Sequence, residues 1–133
     1  MSYLLDTDTF STIAKQASEV AARRLHEVAE GELAISVVTL AEVRFGLELN
    51  PLHTRVSRRI EAMLRVVRAL PLGLDVVPHY ARLRALLQRK GTPIGPNDLW
   101  LAAHALSADL TLVTGNEREF RRVPTLRVEN WLR

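Results

Sequence analysis

Four residues whose side-chain oxygens can bind a metal ion lie where an apolar run ends or a predicted helix begins. These residues are Asp6, Glu42, Asp98 and Asn116. The first, second and fourth follow apolar runs at 1–5, 33–38 and 110–114, and the third follows a turn-rich segment at 91–97. In an α/β domain the carboxyl ends of parallel strands meet at one edge of the sheet, where ligands bind. Carboxylates crowded there repel one another unless a cation lies among them, so the pattern predicts a site for a hard divalent metal ion.

Length and composition limit the kind of protein that could carry such a site. The chain has 133 residues, 47% of them hydrophobic and 25% charged, which predicts a single domain over 1–133 with a proper core. Cysteine is absent, which excludes disulfides, thiolate metal sites and cysteine nucleophiles. No apolar run approaches the roughly 20 residues that cross a bilayer, and no secretory signal is recognisable. We therefore expect a cytoplasmic protein without a membrane partner.

The basic residues are strongly biased towards arginine. The net charge is only +3, yet Lys15 and Lys90 are the only lysines among the 18 basic residues. Arginine presents a planar fork that suits phosphate, so nucleic acid is a reasonable partner. A GC-rich genome would produce the same bias, and composition alone does not separate the two interpretations.

Apolar periodicity predicts strands alternating with helices, which is typical of a mostly parallel sheet covered on both sides. The predicted strands are 1–6, 33–38, 74–77 and 110–114, with an edge strand at 126–128. The predicted helices run through Phe10–Ala14 and over 18–30, 39–49, 52–70, 78–90 and 98–108. Gly31 is expected to end the second helix, and Pro51 the third.

Each acidic residue also has a purely structural interpretation. Asp8 or Thr9 could cap the first helix, whereas Asp6 is less natural as a cap because three residues separate it from Phe10. A carboxylate buried at a strand end is costly without a partner, which favours a functional role for Asp6. Glu42 lies three residues after Thr39, as in a capping box, so the local pattern favours capping.

The remaining candidates are equally open to two interpretations. Asp98 could simply complement a helix dipole, although the Gly- and Pro-rich segment before it suits accurate positioning. Asn116 follows Gly115 as in a common turn, and Glu119 could face the same way on a short helix. His104, on an apolar helix, is expected to be a packed core histidine.

With these segments placed, the chain resembles the PIN-domain ribonucleases, and among them the VapC toxins of bacterial toxin–antitoxin pairs. Four segments carry the resemblance in order along the chain. They are Tyr3–Asp8, Ser36–Gly46, Gly95–Ala105 and Leu112–Phe120, closing on Val123–Trp131. The implied fold is a three-layer α/β/α domain around a mostly parallel sheet of four to five strands.

The resemblance implies an Mg2+- or Mn2+-dependent endoribonuclease acting on structured RNA such as transfer or ribosomal RNA. Asp6, Glu42, Asp98 and Asn116 would be the catalytic positions, with Asp6 and Asp98 as the chief metal ligands. Asn116 departs from the Asp common in the family, and Glu119 could compensate. Asp8 stands where Asn is more usual. Among the supporting residues, Thr7 or Thr114 could hydrogen-bond a phosphate oxygen or a metal water.

The resemblance also implies partners: a second copy of the chain in a homodimer, and a VapB-like antitoxin that silences the toxin. One alternative is a PIN module with a degenerate site that binds RNA or protein without cutting, motivated by Asn116. Another is a phosphohydrolase with Asp6 as nucleophile, but that chemistry needs a lysine near a later strand end. Neither lysine of the chain follows an apolar strand run.

Overall fold

The structure is a computed structural model that describes residues 2–50 and 54–133. Its strands are β1 Tyr3–Leu5, β2 Leu33–Ser36, β3 Arg68–Leu70, β4 Thr111–Val113 and β5 Val128–Glu129. Its helices are α1 Thr7–Ala14, α2 Glu19–His26, α3 Val37–Leu49, α4 Arg55–Val66, α5 Val76–Arg89, α6 Pro96–Ala108 and α7 Glu117–Phe120. A 3-10 turn at Glu30–Glu32 precedes β2.

The five strands form one sheet in the order β3-β2-β1-β4-β5, and every described pairing is parallel. The chain builds outward from β1 through β2 to β3, then crosses to the other side of β1 for β4 and β5. The strand order therefore reverses between β1 and β4, which creates a crevice at their carboxyl ends. The predicted mostly parallel sheet of four to five strands is confirmed.

Helices cover both faces of the sheet, because adjacent residues of a strand point to opposite sides. Leu4 and Leu112 pack under α5 and α6 in one apolar cluster. Leu5 and Val113 pack under α1, α2 and α4 in a second cluster. Both faces of β1 and β4 are thus buried, which is why these strands read as continuous apolar runs. The predicted three-layer α/β/α architecture is confirmed.

Several predicted boundaries are wrong. The third strand is Arg68–Leu70, whereas the expected strand at 74–77 leads into α5. Arg68–Leu70 pairs with Ala34–Ser36 at the sheet edge, and this long-range pairing outweighs the local apolar pattern. The preceding helix accordingly ends at Val66 instead of residue 70, and the second helix ends at His26, five residues before Gly31.

Other boundaries shift less. The edge strand is Val128–Glu129 where 126–128 was predicted. The predicted start of the fourth helix at 52 and the helix stop at Pro51 lie outside the described residues, as does Met1 of the first strand. No helix of residues 2–50 and 54–133 is long and apolar enough to cross a membrane.

Candidate functional site

Asp6 lies in the crevice between β1 and β4, and its carboxylate is held at both oxygens. Its backbone continues β1, since its N–H donates to the Val113 carbonyl at 3.0 Å. Oδ1 accepts a 2.9 Å hydrogen bond from the Thr9 N–H, and Oδ2 accepts a 2.6 Å bond from the Thr114 hydroxyl. Asp6 is only 7% exposed. Two fixed donors on a buried side chain leave the carboxylate one orientation.

Asp6 itself is the N-cap of α1, so the prediction that Asp8 or Thr9 caps this helix is wrong. The backbone of Asp6 is extended (φ −76°, ψ 173°), and its side chain reaches the N–H three residues on, as an N-cap does. Asp8 instead lies exposed in the first turn. Capping and a functional role therefore coincide in one residue, which the local pattern could not reveal.

Glu42 is positioned by a side chain from the neighbouring strand end. The Thr7 hydroxyl donates to Glu42 Oε1 at 2.8 Å. The predicted capping box with Thr39 is wrong, because α3 begins at Val37 with Ser36 as its N-cap and Thr39 is buried inside the helix. Glu42 thus lies in the second turn of α3, beyond the reach of the cap and directed towards the β1–α1 junction.

Asp98 lies in the first turn of α6 and shares its surroundings with Glu119 of α7. Pro96 opens this helix, where its missing N–H costs nothing. A methyl group added at Gly95 would lie 3.8 Å from Asp98 Oδ2 and 3.9 Å from Glu119 Oε1. The two carboxylates therefore face the same small space above Gly95.

Asn116 orients the carboxylate of Glu119, which lies three residues on in the short helix α7. Its side-chain amide donates to Glu119 Oε2 at 2.6 Å, while the Gly95 N–H donates to Oε1 at 3.0 Å. The Asn116 N–H in turn donates to the Thr114 hydroxyl at 2.9 Å. A chain of hydrogen bonds thus runs from Asp6 through Thr114 and Asn116 to Glu119.

The acidic residues of the sequence analysis act on one another through their charges. Burial is the main cause that raises the pKa of Asp98 to about 7, and the charges of Glu119, Asp6 and Glu42 raise it further, as does a hydrogen bond with Glu119. Burial also raises the pKa of Asp6, although the hydrogen bonds from Thr114 and Thr9 oppose that effect. Four carboxylates separated by up to 113 positions in sequence therefore interact in one crevice.

The donor set suits Mg2+ or Mn2+. Within residues 2–50 and 54–133, no three Asp, Glu or His side chains are grouped closely enough to hold an ion by themselves. Mg2+ usually takes one or two carboxylates and keeps several waters, so two carboxylates such as those of Asp6 and Asp98 could hold it. The oxygen-only chemistry is unlike that of a typical zinc site. Burial and then the neighbouring negative charges raise the pKa of Asp98, and a cation would relieve both effects.

Two features of the site had no clear signal in the sequence. The Gly95 N–H that holds Glu119 comes from a residue without a side chain, so only the fold reveals its role. Ser36 caps α3 and also bonds the buried His104, whose packed position confirms the expectation for that residue. A serine before an apolar helix is a recognisable cap, but its bond to a residue 68 positions away is not predictable from spacing.

A groove opens from the acidic crevice between α1, α3 and α4, with a volume of about 590 Å3. Thr7, Glu42 and Lys15 are among the residues that line it. The exposed side chains of Leu49 and Val56 contribute to its largely apolar lining. The groove is thus continuous with the site and offers room for a bound chain.

Comparison with known proteins gives one consistent family. The model of the PIN domain matches residues 3–126. The tRNA(fMet)-specific endonuclease VapC of Salmonella typhimurium is 34% identical, with 98% of each chain covered. Ribonuclease VapC2 of Haemophilus influenzae is 35% identical, with 99% of each covered. In the crystal structure of VapBC2 from Rickettsia felis bound to a promoter DNA fragment, the matching chain is 31% identical with a TM-score of 0.89, covering 98% of this chain and 99% of that one.

These relatives match the chain over nearly its whole length, and the matched span includes every residue of the acidic crevice described above. The chain therefore belongs to the PIN domain family and, within it, to the VapC ribonucleases.

Proposed function

We propose that this protein is a divalent-metal-dependent endoribonuclease, active as a single domain and as the toxin of a VapBC-type pair. The observation that carries the proposal is the convergence of Asp6, Glu42, Asp98 and Glu119 in one crevice, where burial first and the neighbouring charges second raise the pKa of Asp98 to about 7. Several carboxylates close together destabilise the metal-free protein, and a function that needs a cation would explain their presence in one crevice.

The residues divide into ligands and groups that position them. Asp6 and Asp98 would hold Mg2+, or Mn2+ in its place, and Glu42 and Glu119 would bind its waters. A bound ion would supply a Lewis acid that makes a nearby water more acidic and offsets charge on the scissile phosphate. Thr114 and the Thr9 N–H fix Asp6, Thr7 fixes Glu42, and Asn116 with Gly95 fixes Glu119.

The role of Asn116 then differs from that of an acidic ligand. Its amide donates to Glu119, so it orients a carboxylate in place of supplying one. Glu119 consequently takes the fourth acidic position in this proposal. Because Glu119 is acidic, the site has the same number of carboxylates as it would have with an acid at position 116 instead of 119.

Structured RNA, and transfer RNA in particular, is the proposed substrate. Support comes from the name of the Salmonella relative, which is specific for tRNA(fMet). Arginines on the exposed face of α4, among them Arg55, Arg58 and Arg65, would neutralise the RNA backbone. The cytoplasm is where such a substrate would be met.

A VapB-like antitoxin and a second copy of the chain are the proposed partners. Support comes from the solved VapBC complex of Rickettsia felis, in which the matching chain accompanies its antitoxin. The groove between α1, α3 and α4 is suited to an extended or helical segment with apolar side chains, and Glu42 in its lining would attract a basic residue.

The test uses purified chain free of antitoxin, incubated with total RNA in Mg2+, Mn2+ or EDTA, with new 5′ ends mapped. Cleavage should need the metal, and Asp6→Asn should reduce it more than about a hundredfold, beyond the range for residues that only orient ligands. Asn caps a helix as well as Asp does, so the variant should fold. Asp109→Asn, on an exposed carboxylate paired with Arg127, is the matched control. Full activity of Asp6→Asn would refute the assignment.

A binding module without catalysis remains the second candidate, because Asn116 replaces an acid. It predicts RNA or partner binding with no metal-dependent ends in the same assay. The aspartate-nucleophile alternative gains nothing from the structure, since Lys15 and Lys90 are the C-caps of α1 and α5 and lie at no strand end.

A further inference from the structure

A buried hydrogen bond joins the two helices that carry Glu42 and Asp98. His104 Nδ1 of α6 lies 2.9 Å from the Oγ of Ser36, the residue that caps α3. His104 is 3% exposed and Ser36 is fully buried. Water therefore cannot replace either partner, and a broken bond would leave a polar group unsatisfied in the core.

The direction of this hydrogen bond depends on the tautomer of His104. Ser36 Oγ accepts from the Val38 N–H at 3.2 Å, which keeps its own proton available for His104 Nδ1. This fits a neutral imidazole with its proton on Nε2. The hydroxyl of Ser36 thereby caps the N-terminus of α3 and links it to α6.

The spacing along the two helices gives this bond a functional consequence. Ser36 precedes Glu42 by six residues, and Asp98 precedes His104 by six, about 9 Å along a helix axis in each case. The α3 and α6 helices pack against each other, and Glu42 is close enough to Asp98 to act on its charge. The Ser36–His104 bond and the Glu42–Asp98 pair thus lie at opposite ends of two helical stretches of equal length. A slide of α3 along α6 would therefore change both the bond and the separation of the two carboxylates.

We propose that His104 is a positioning residue of the metal site: its bond to Ser36 fixes α3 against α6 and thereby sets the separation between Glu42 and Asp98. The inference rests on the proposed function for its consequence at the metal, although the bond itself does not. His104 touches neither metal nor RNA in this proposal. Its effect is transmitted through two rigid helices.

Three substitutions at one position separate this role from simple packing. His104→Leu fills similar volume without a polar atom. His104→Asn restores a polar atom near the position of Nδ1, whereas His104→Gln places one near Nε2. Leu101→Ala, in the same helix and buried at 1% exposure, loosens the core but keeps both atoms of the bond between His104 and Ser36. All four are compared with the unmodified chain below their unfolding temperatures.

Mg2+ binding is measured by titration calorimetry on each folded variant. His104→Leu and His104→Gln should bind Mg2+ about tenfold more weakly, the lower end of the range for residues that support metal ligands indirectly. His104→Asn should recover most of the affinity, and Leu101→Ala should keep it. In a cycle with Ser36→Ala, the second substitution should add no further loss to His104→Leu. Unchanged affinity in His104→Leu, or an equal loss in Leu101→Ala, would overturn the proposal.

Amide hydrogen exchange of the metal-free protein tests whether the Ser36–His104 bond fixes α3, independently of the proposed function. In His104→Leu, the amides of the first two turns of α3 should exchange at least about tenfold faster, with α4 unaffected. If the unmodified chain binds no Mg2+, the proposed function fails while this exchange result still decides whether His104 fixes α3. Exchange in α3 that matches the unmodified chain would refute the positioning role even if cleavage is metal-dependent.

Discussion

Replacing Asp98 with Asn should stabilise the metal-free protein while abolishing its response to Mg2+. Burial and the neighbouring charges of Glu119, Asp6 and Glu42 raise the pKa of Asp98 from 3.8 to about 7. The native state therefore prefers the protonated acid, and its contribution to stability is fully present below about pH 4 and is lost as the pH rises towards 7. Asn has the same shape without the charge, so it escapes this loss.

The size of the effect follows from the shift. About three pKa units at 1.36 kcal/mol each give an upper limit of about 4 kcal/mol. Because Asp98 is only partly buried, solvent screening reduces this to about 1–2 kcal/mol. In EDTA, Asp98→Asn should therefore exceed the unmodified chain in free energy of unfolding by about 1–2 kcal/mol at pH 8, and the gap should shrink as the pH falls towards 4.5.

Urea unfolding followed by the fluorescence of the buried Trp131 measures this gap at several pH values, with EDTA and with saturating Mg2+. Metal that binds only the folded state should stabilise the unmodified chain by about 2.7 kcal/mol at a hundred times its dissociation constant, and Asp98→Asn far less. Mg2+ should thus reverse the order of the two proteins. Asp109→Asn should show neither effect. If Asp98→Asn is no more stable at pH 8 in EDTA, the reasoning from crowded carboxylates is wrong.

Three further predictions test other parts of the structure. Thr114→Val keeps the shape of a buried side chain but removes the 2.6 Å bond to Asp6, so the pKa of Asp6 should rise further and cleavage should fall about tenfold, measured as kcat at saturating Mg2+. Gly91→Ala should lower the free energy of unfolding by about 1 kcal/mol, because Gly91 follows α5 with a φ of 70° that favours glycine. Gly95→Ala should change the free energy of unfolding by less than about 0.5 kcal/mol, because Gly95 has a φ of −57° and the added carbon would make only ordinary contacts. Urea unfolding compares the two variants, and equal losses would contradict the argument. RNA binding by a cleavage-inactive variant should weaken steeply with salt, and a log–log slope near zero in a filter-binding assay would exclude backbone recognition by the arginines.

The prediction of the fold succeeded where one local signal dominated. The apolar runs before Asp6 and around 110–114 are strands because they are buried on both faces, and the run at 33–38 became strand β2 followed directly by α3. The run at 74–77 has the same local character but begins a helix, since the sheet edge is taken by Arg68–Leu70. Which segment pairs with β2 depends on the whole chain, so no local window contains the answer.

Sequence alone determined which residues could form the site: the acids and amide at the ends of apolar runs and in the segments that resemble the family. Only the tertiary structure decided how they work together. Asp6 caps α1 because its side chain meets Thr9, Glu42 is held by Thr7 and not by Thr39, and Asn116 orients Glu119. The bond between Ser36 and His104 likewise exists only once α3 and α6 pack. Residue types fix what a side chain can bind, but hydrogen bonds and charge interactions act over a few ångströms, and only folding brings residues so far apart in sequence within that range.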